Sequence, residues 1–456
     1  MPAAVVAAAL VPASAPADVL LDPLLVGGEV AAGHAATLVG PDGSWRTLAA
    51  PGGGIRDRFQ VSAVSPDHRV VARTSGRRVV LVPTDGGRPR VLGLRGLRVP
   101  APERQAAPDP GIGDPDGSFG FGLSVGGTPA VWWDADGSHV RRDAVRSPAG
   151  TPVVVTCTVA SGRCSSRRSP RGLQRVAARG DGGSLWTGTT PPDVEQLVSL
   201  GPLADGTWVR ATPAAVRRAR AVLRRPHPDA LVLVTPAGTE RTLWSTRRSY
   251  AQGVTDTAPS EGGPGGTIVA WDRTTYALQT RRRKGRPQAR LRVRTVAEGL
   301  WRIAPSGRRS TFRARTTAGD RLESVDGPAG PHGWYGTVRD RRGRALPATV
   351  DARGVVRRVL LDGRPPTVGA IQAALGLGAL PAAGSDGTGG GPRDVVGVSG
   401  YEAATDSLIA TYTVGPVEDL RQVVARLPVA GGPPSPVLPR PGSPAGDPRL
   451  VIATAW

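Results

Sequence analysis

Arg281-Arg282-Arg283-Lys284-Gly285-Arg286 reads as a charged turn, and Arg290, Arg292 and Arg294 then alternate with Leu291, Val293 and Thr295. In a strand, alternate residues share a face. The three arginines would therefore form a stripe of charges about 7 Å apart. Such a stripe can track phosphates or other repeating anions, with binding that weakens steeply as salt rises. The competing reading is a solvated outer strand, since charge on an edge also protects against aggregation. Trp271 and Tyr276 lie nearby in sequence, but spacing alone does not align them as a stacking platform.

Cys157 and Cys164 are the only cysteines, and they flank Thr158-Val159-Ala160-Ser161-Gly162-Arg163, a strand end followed by a glycine turn. Cysteines facing across such a turn lie close enough to bridge, and a disulfide implies an oxidising compartment. Two thiols are too few ligands for a metal. His34, His68, His139, His227 and His332 show no H-x-H or H-E-x-x-H spacing, so zinc catalysis has no support.

Other motifs carry less. Gly122-Leu123-Ser124-Val125-Gly126 matches G-x-S-x-G, yet a nucleophile elbow needs a following helix. Gly127-Thr128-Pro129 and a Trp-rich strand follow instead. Asp114-Pro115-Asp116-Gly117-Ser118 and Asp134-Ala135-Asp136-Gly137-Ser138 share a D-x-D-G pattern. Calcium needs six to eight oxygens, usually with a later carboxylate, so these aspartates read as caps of tight turns. No glycine-rich phosphate loop follows a strand and opens a helix, and no cofactor is expected. Carboxylate pairs for glycoside chemistry leave no local signature, which keeps that chemistry open.

Composition narrows the partners. The formal charge of +21 comes almost wholly from arginine, Lys284 being the single lysine, and asparagine is absent. Biased codon usage explains arginine over lysine. It does not explain the excess of positive charge, which favours anionic partners: an acidic envelope polymer first, nucleic acid less so. Residues 1–17 read as a signal peptide, with an apolar stretch from Ala3 to Val11 and Ala15-Pro16-Ala17 before Asp18, although no Lys or Arg precedes Arg46. No later run is long enough to span a membrane. The chain is expected to be exported and soluble.

The elements that must hold these residues repeat. Leu38-Val39-Gly40-Pro41-Asp42-Gly43-Ser44-Trp45-Arg46-Thr47-Leu48 returns as Leu233 to Leu243 around Gly238, and more loosely as Ile303 to Phe312 around Gly307. Recurring hairpins indicate a repeat architecture. From Phe59 to Gly93 four short strands fit into one unit, with turns at Ser65-Pro66-Asp67-His68 and Asp85-Gly86-Gly87. That is the size of a propeller blade.

On Ala63-Val64-Ser65-Pro66-Asp67-His68-Arg69-Val70-Val71-Ala72 the chain resembles the TolB-like and WD-repeat-like propeller families, with His68 at the usual glycine. The resemblance implies an all-β propeller over 18–456. The turns predict about seven four-stranded blades, with six or eight as neighbours. Asp181-Gly182-Gly183-Ser184-Leu185-Trp186 partly resembles the Asp-box of sialidase-type propellers, with Arg179 where that motif has serine.

Insertions are expected near 212–225, 366–392 and 433–448. In the first, Thr212 caps a helix opened by Pro213, or else Ala219 to Arg224 forms a strand. Leu450 to Thr454 predicts a last strand that completes the first blade and removes an exposed edge. The functional expectation is a non-catalytic module binding a protein or anionic polymer. A carbohydrate enzyme with carboxylates at a central channel is the alternative.

Overall fold

A computed structural model of the chain describes residues 19–23, 37–48, 62–75, 78–92, 131–146, 151–170, 173–179, 183–188, 208–224, 229–246, 266–377, 396–414, 421–438 and 451–455, apart from 66, 135 and 318. The expected signal peptide, Asp114-Pro115-Asp116, Ser124, His34, His227 and all of 378–395 and 439–450 lie outside them.

The described residues form seven four-stranded sheets whose strand pairings are all antiparallel. They follow the chain in order. The second contains Ser62–Val64, Val70–Ser75, Arg78–Pro83 and Arg90–Leu92, close to the strands read from its sequence. The first joins both ends of the chain: Val451–Ala455 pairs with Val19–Pro23, Val19 opposite Ala455 and Pro23 opposite Val451. The expected closing strand is in place.

Period-two patterning explains how the sheets stack. Along Arg78–Pro83, Val79 and Leu81 point one way while Val80 and Val82 point the other, and all four are buried. A strand apolar on both faces needs a neighbour on each side. Val80 and Val82 pack with Leu20 and Leu38 of the first sheet and with Leu48, which directly follows it. Val79 and Leu81 pack with Val131, Val153 and Val155 of the third.

The pattern continues along the chain. Leu231 and Leu233 of the fourth sheet meet Val269 and Ile303 of the fifth. Ile268 and Phe312 of the fifth meet Trp334 and Val338 of the sixth. Val359 and Leu361, following the sixth sheet, meet Leu408 and Ala410 of the seventh. Ile409 and Val424 of the seventh meet Val19 and Val39 of the first. Each sheet thus touches the next, and the last touches the first.

The third and fourth sheets meet differently. Arg175 of the fourth donates from Nε to Asp143 Oδ2 of the third at 2.9 Å, and its guanidinium lies 4.2 Å from the Trp132 ring centre. Trp133, on the opposite strand face, donates from Nε1 to the carbonyl of Ala63 in the second sheet.

The three repeated hairpins share one turn. Gly43, Gly238 and Gly307 have φ of 78°, 80° and 78°, each donating its N–H to the carbonyl three residues back. That left-handed backbone suits glycine. At the Ser65-to-His68 turn, Asp67 accepts from Ser65 Oγ and from the Arg69 N–H, and His68 adopts φ 59°.

Of the insertions, α1 (Pro213–Arg224) is a helix, not the alternative strand, with the Val216 N–H bonded to the Thr212 carbonyl. α2 (Val368–Ala374) is capped by the Thr367 hydroxyl, which accepts from the Ala370 N–H. Among the described residues no helix is long and apolar enough to cross a membrane.

Candidate anion-binding arm

The basic segment is half of a long antiparallel arm. Thr267–Arg283 pairs with Arg286–Ile303 along its whole length. The base belongs to the stacked part of the fifth sheet, where Leu300 to Ile303 also pair with Arg309–Phe312. From Asp272 to Arg283 the ribbon continues for about 40 Å. The expected turn is there, with Lys284 at φ 49° and Gly285 at φ 74°.

Register sets the arm's two faces. Gln288, Arg290, Arg292 and Arg294 stand opposite Arg281, Gln279, Ala277 and Thr275. Directly opposed residues of an antiparallel pair share a face, so Arg290 and Arg292 lie on one side together with Arg281 and Gln279. A third strand widens it: Val209–Arg210, supplied by the long connection within the fourth sheet, pairs Arg210 with Gln288 and Val209 with Ala289.

On the other side α1 lies along the arm, its Arg220 Nη2 donating to Thr280 Oγ1 at 3.3 Å. Arg281, Arg282, Arg283, Lys284, Arg286 and Arg292 are exposed, and Arg290 is half-buried.

Charge on the arm is one-sided. From Arg273 to Arg294 there are nine cationic residues and no acidic one, and Pro213–Arg224 adds four arginines and no acid. This acid-free stretch was visible in the sequence and marks the arm more sharply than the net charge does. Among the described side chains, the arm's aromatic partner is Trp208. Arg281 and Arg290 lie 4.1 Å and 4.7 Å from its ring centre.

Two other motifs singled out in the sequence lie at turns of the third sheet. Cys157 and Cys164 stand opposite each other in the third sheet and are joined by a disulfide, Cα–Cα 4.0 Å. Asp134, Asp136 and His139 offer ligand atoms within 4.8 Å of one another. Asp134 Oδ2 already meets His139 Nδ1 at 2.9 Å and Arg141 at 3.6 Å. The Ser138 amide and hydroxyl hold the Asp136 carboxyl down to about 2. These are turn bonds, as the Asp-Gly spacing predicts.

Carboxylates on the strands that open the sheets are few among the described residues. Glu402 is fully buried against Arg426, whose Nε and Nη2 reach its two oxygens at 2.7 and 2.9 Å. Glu323 pairs with Arg339. Asp326 accepts from Ser324 Oγ at 3.0 Å, and burial pushes its carboxyl up to about 6. His332 Nε2 and the Tyr401 hydroxyl share Asp406 Oδ1, at 2.6 and 2.9 Å, between the sixth and seventh sheets.

No family model matches this chain, and no curated protein matches it in sequence. It is similar to the solved structure of dipeptidyl peptidase 4 from Porphyromonas gingivalis, at 11% identity and TM-score 0.42, over 93% of this chain and 51% of that one. The chain thus spans about half the length of that relative. A putative TolB from Agrobacterium tumefaciens aligns at 10% identity and TM-score 0.32, over 75% of this chain and 88% of that one. The β-propeller domain of the Trilobed protease from Pyrococcus furiosus aligns at 7% identity and TM-score 0.30, over 75% of this chain and 97% of that one.

Proposed function

We propose that the seven sheets are the blades of a single β-propeller and that the chain is an exported, non-catalytic binding module holding an anionic polymer on its basic arm. Sequential stacking, contact between the seventh and first sheets, and pairing of the two chain ends support the propeller. The Cys157–Cys164 disulfide supports an oxidising compartment. The observation that carries the binding reading is the arm itself, a ribbon whose stretch from Arg273 to Arg294 carries nine cations and no acid. Uncompensated positive charge on a projecting element attracts polyanions and steers their approach.

The alternative, a carbohydrate-active enzyme, draws on Asp326, whose carboxyl is held near 6. Glycoside chemistry uses two cooperating carboxyl groups. Glu402 and Glu323 are each bound to an arginine, so Asp326 stands without a free acidic partner among them. The binding reading is the stronger.

The test is retention on immobilised polyphosphate and polygalacturonate across a salt gradient. Retention should fall steeply with salt. Arg290→Ser, Arg292→Ser and Arg294→Ser together should lower the slope of log affinity against log salt by about 2. Indifference to both polymers at low salt removes the reading.

A further inference from the structure

We propose that Arg281, Trp208 and Arg290 form a pre-ordered oxyanion subsite on the arm. This rests on the arm being the anion-binding surface, and it locates the strongest point of that surface. Trp208 directly precedes Val209–Arg210, and pairing of that short strand with Gln288 and Ala289 brings the indole onto the arginine-bearing face. Both guanidiniums then lie over the ring, at 4.1 and 4.7 Å. Each also has its Nε bound across the ribbon. Arg281 donates to Gln288 Oε1 at 2.9 Å, and Arg290 to Gln279 Oε1 at 2.6 Å.

The chemistry follows from those restraints. A guanidinium fixed at Nε by an amide and held over an indole keeps its two Nη groups for an outside ligand. End-on, that pair matches the spacing of two oxygens on a phosphate or carboxylate. Neither arginine meets a carboxylate among the described residues, whereas Arg175, stacked on Trp132 in the same manner, is closed off by Asp143. An ordinary surface arginine must surrender its rotamer freedom when a ligand arrives. These two have surrendered it on folding, so a bound anion gains the contact without that loss. Two such forks on one indole suit successive oxyanions of one linear polymer, carried as phosphate or as carboxylate.

Trp208→Ala separates ordering from charge, because every cation remains. We expect affinity for polyphosphate or polygalacturonate at fixed salt to fall about tenfold, from two released side chains. The salt slope should stay at its wild-type value, since the count of cations is unchanged. Trp208→Phe, which restores a ring face, should recover most of the affinity. The double variant Gln279→Ala, Gln288→Ala leaves the indole in place and should lose several-fold on its own.

The polymer whose binding responds to Trp208→Ala identifies the oxyanion. Wild-type affinity in both the Trp208→Ala protein and the glutamine double variant would overturn the subsite and leave the arm reading standing. Failure of the wild-type protein to bind either polymer would overturn the arm reading first.

Discussion

Arg426 and Arg290 carry the same guanidinium in opposite settings. Arg426 lies buried between the seventh and first sheets, bound to both oxygens of Glu402 and to the Gly40 carbonyl at 2.8 Å. Arg358 with Asp320, Arg344 with Asp340 and Arg179 with the carbonyls of Ala304 and Pro305 follow the same rule. Among the stacked sheets these arginines hold the fold together and meet an acceptor inside it. On the arm, Arg281 and Arg290 meet an indole and two amides, which orient charge without neutralising it. Arginine number therefore says little in a chain this biased. What surrounds each arginine separates fastening from display.

That contrast can be broken from the fold's side. Glu402→Gln leaves Arg426 buried and half-paired, which should cost about 3 to 5 kcal/mol. Denaturant unfolding reads the loss, and the salt slope of polymer binding should not move. A fall in binding without a fall in stability would place Arg426 among the display arginines.

Asp326 gives a pH test on the same side. Its carboxyl sits at about 6 against an ordinary 3.8 because burial disfavours the charge. The folded state therefore keeps a proton that the unfolded chain releases, and stability falls as pH rises from about 4 to 6. The full penalty, roughly 3 kcal/mol, is present above that window. Asp326→Asn should abolish the fall. An asparagine variant with the wild-type pH profile would contradict the assignment.

Removing the disulfide sharpens the division further. Cys157→Ser with Cys164→Ser opens a short loop and should cost about 2.5 kcal/mol. Unfolding with and without reductant checks this, and polymer binding should survive in the folded population.

Much of this division was legible in the sequence. Gly43, Gly238 and Gly307 announce their hairpins because left-handed backbone favours one residue type. The cysteine pair follows from its spacing across a turn. The last strand follows from its position and the need to cover an edge. Trp208 was not legible. It comes from the connection within the fourth sheet, just before a strand of two residues that is too short for any periodicity to show. Its meeting with Arg281 and Arg290 exists only once two neighbouring insertions fold together. The length of the arm was missed for a related reason. Thr267–Arg283 mixes apolar, hydroxyl and charged residues, so no alternation marks where the stacked base ends and the projecting ribbon begins.

The central claim is that position, not net charge, makes the arm the anion-binding element. The direct test compares two triple variants of equal charge: Arg281→Ser, Arg290→Ser, Arg292→Ser on the arm, and Arg308→Ser, Arg341→Ser, Arg353→Ser at exposed sites in the turns that join strands of the sheets. Affinity for polyphosphate is measured against salt for both. The arm variant should lose about 2 from the salt slope, while the sheet variant keeps the wild-type slope. Equal losses in the two would contradict the account.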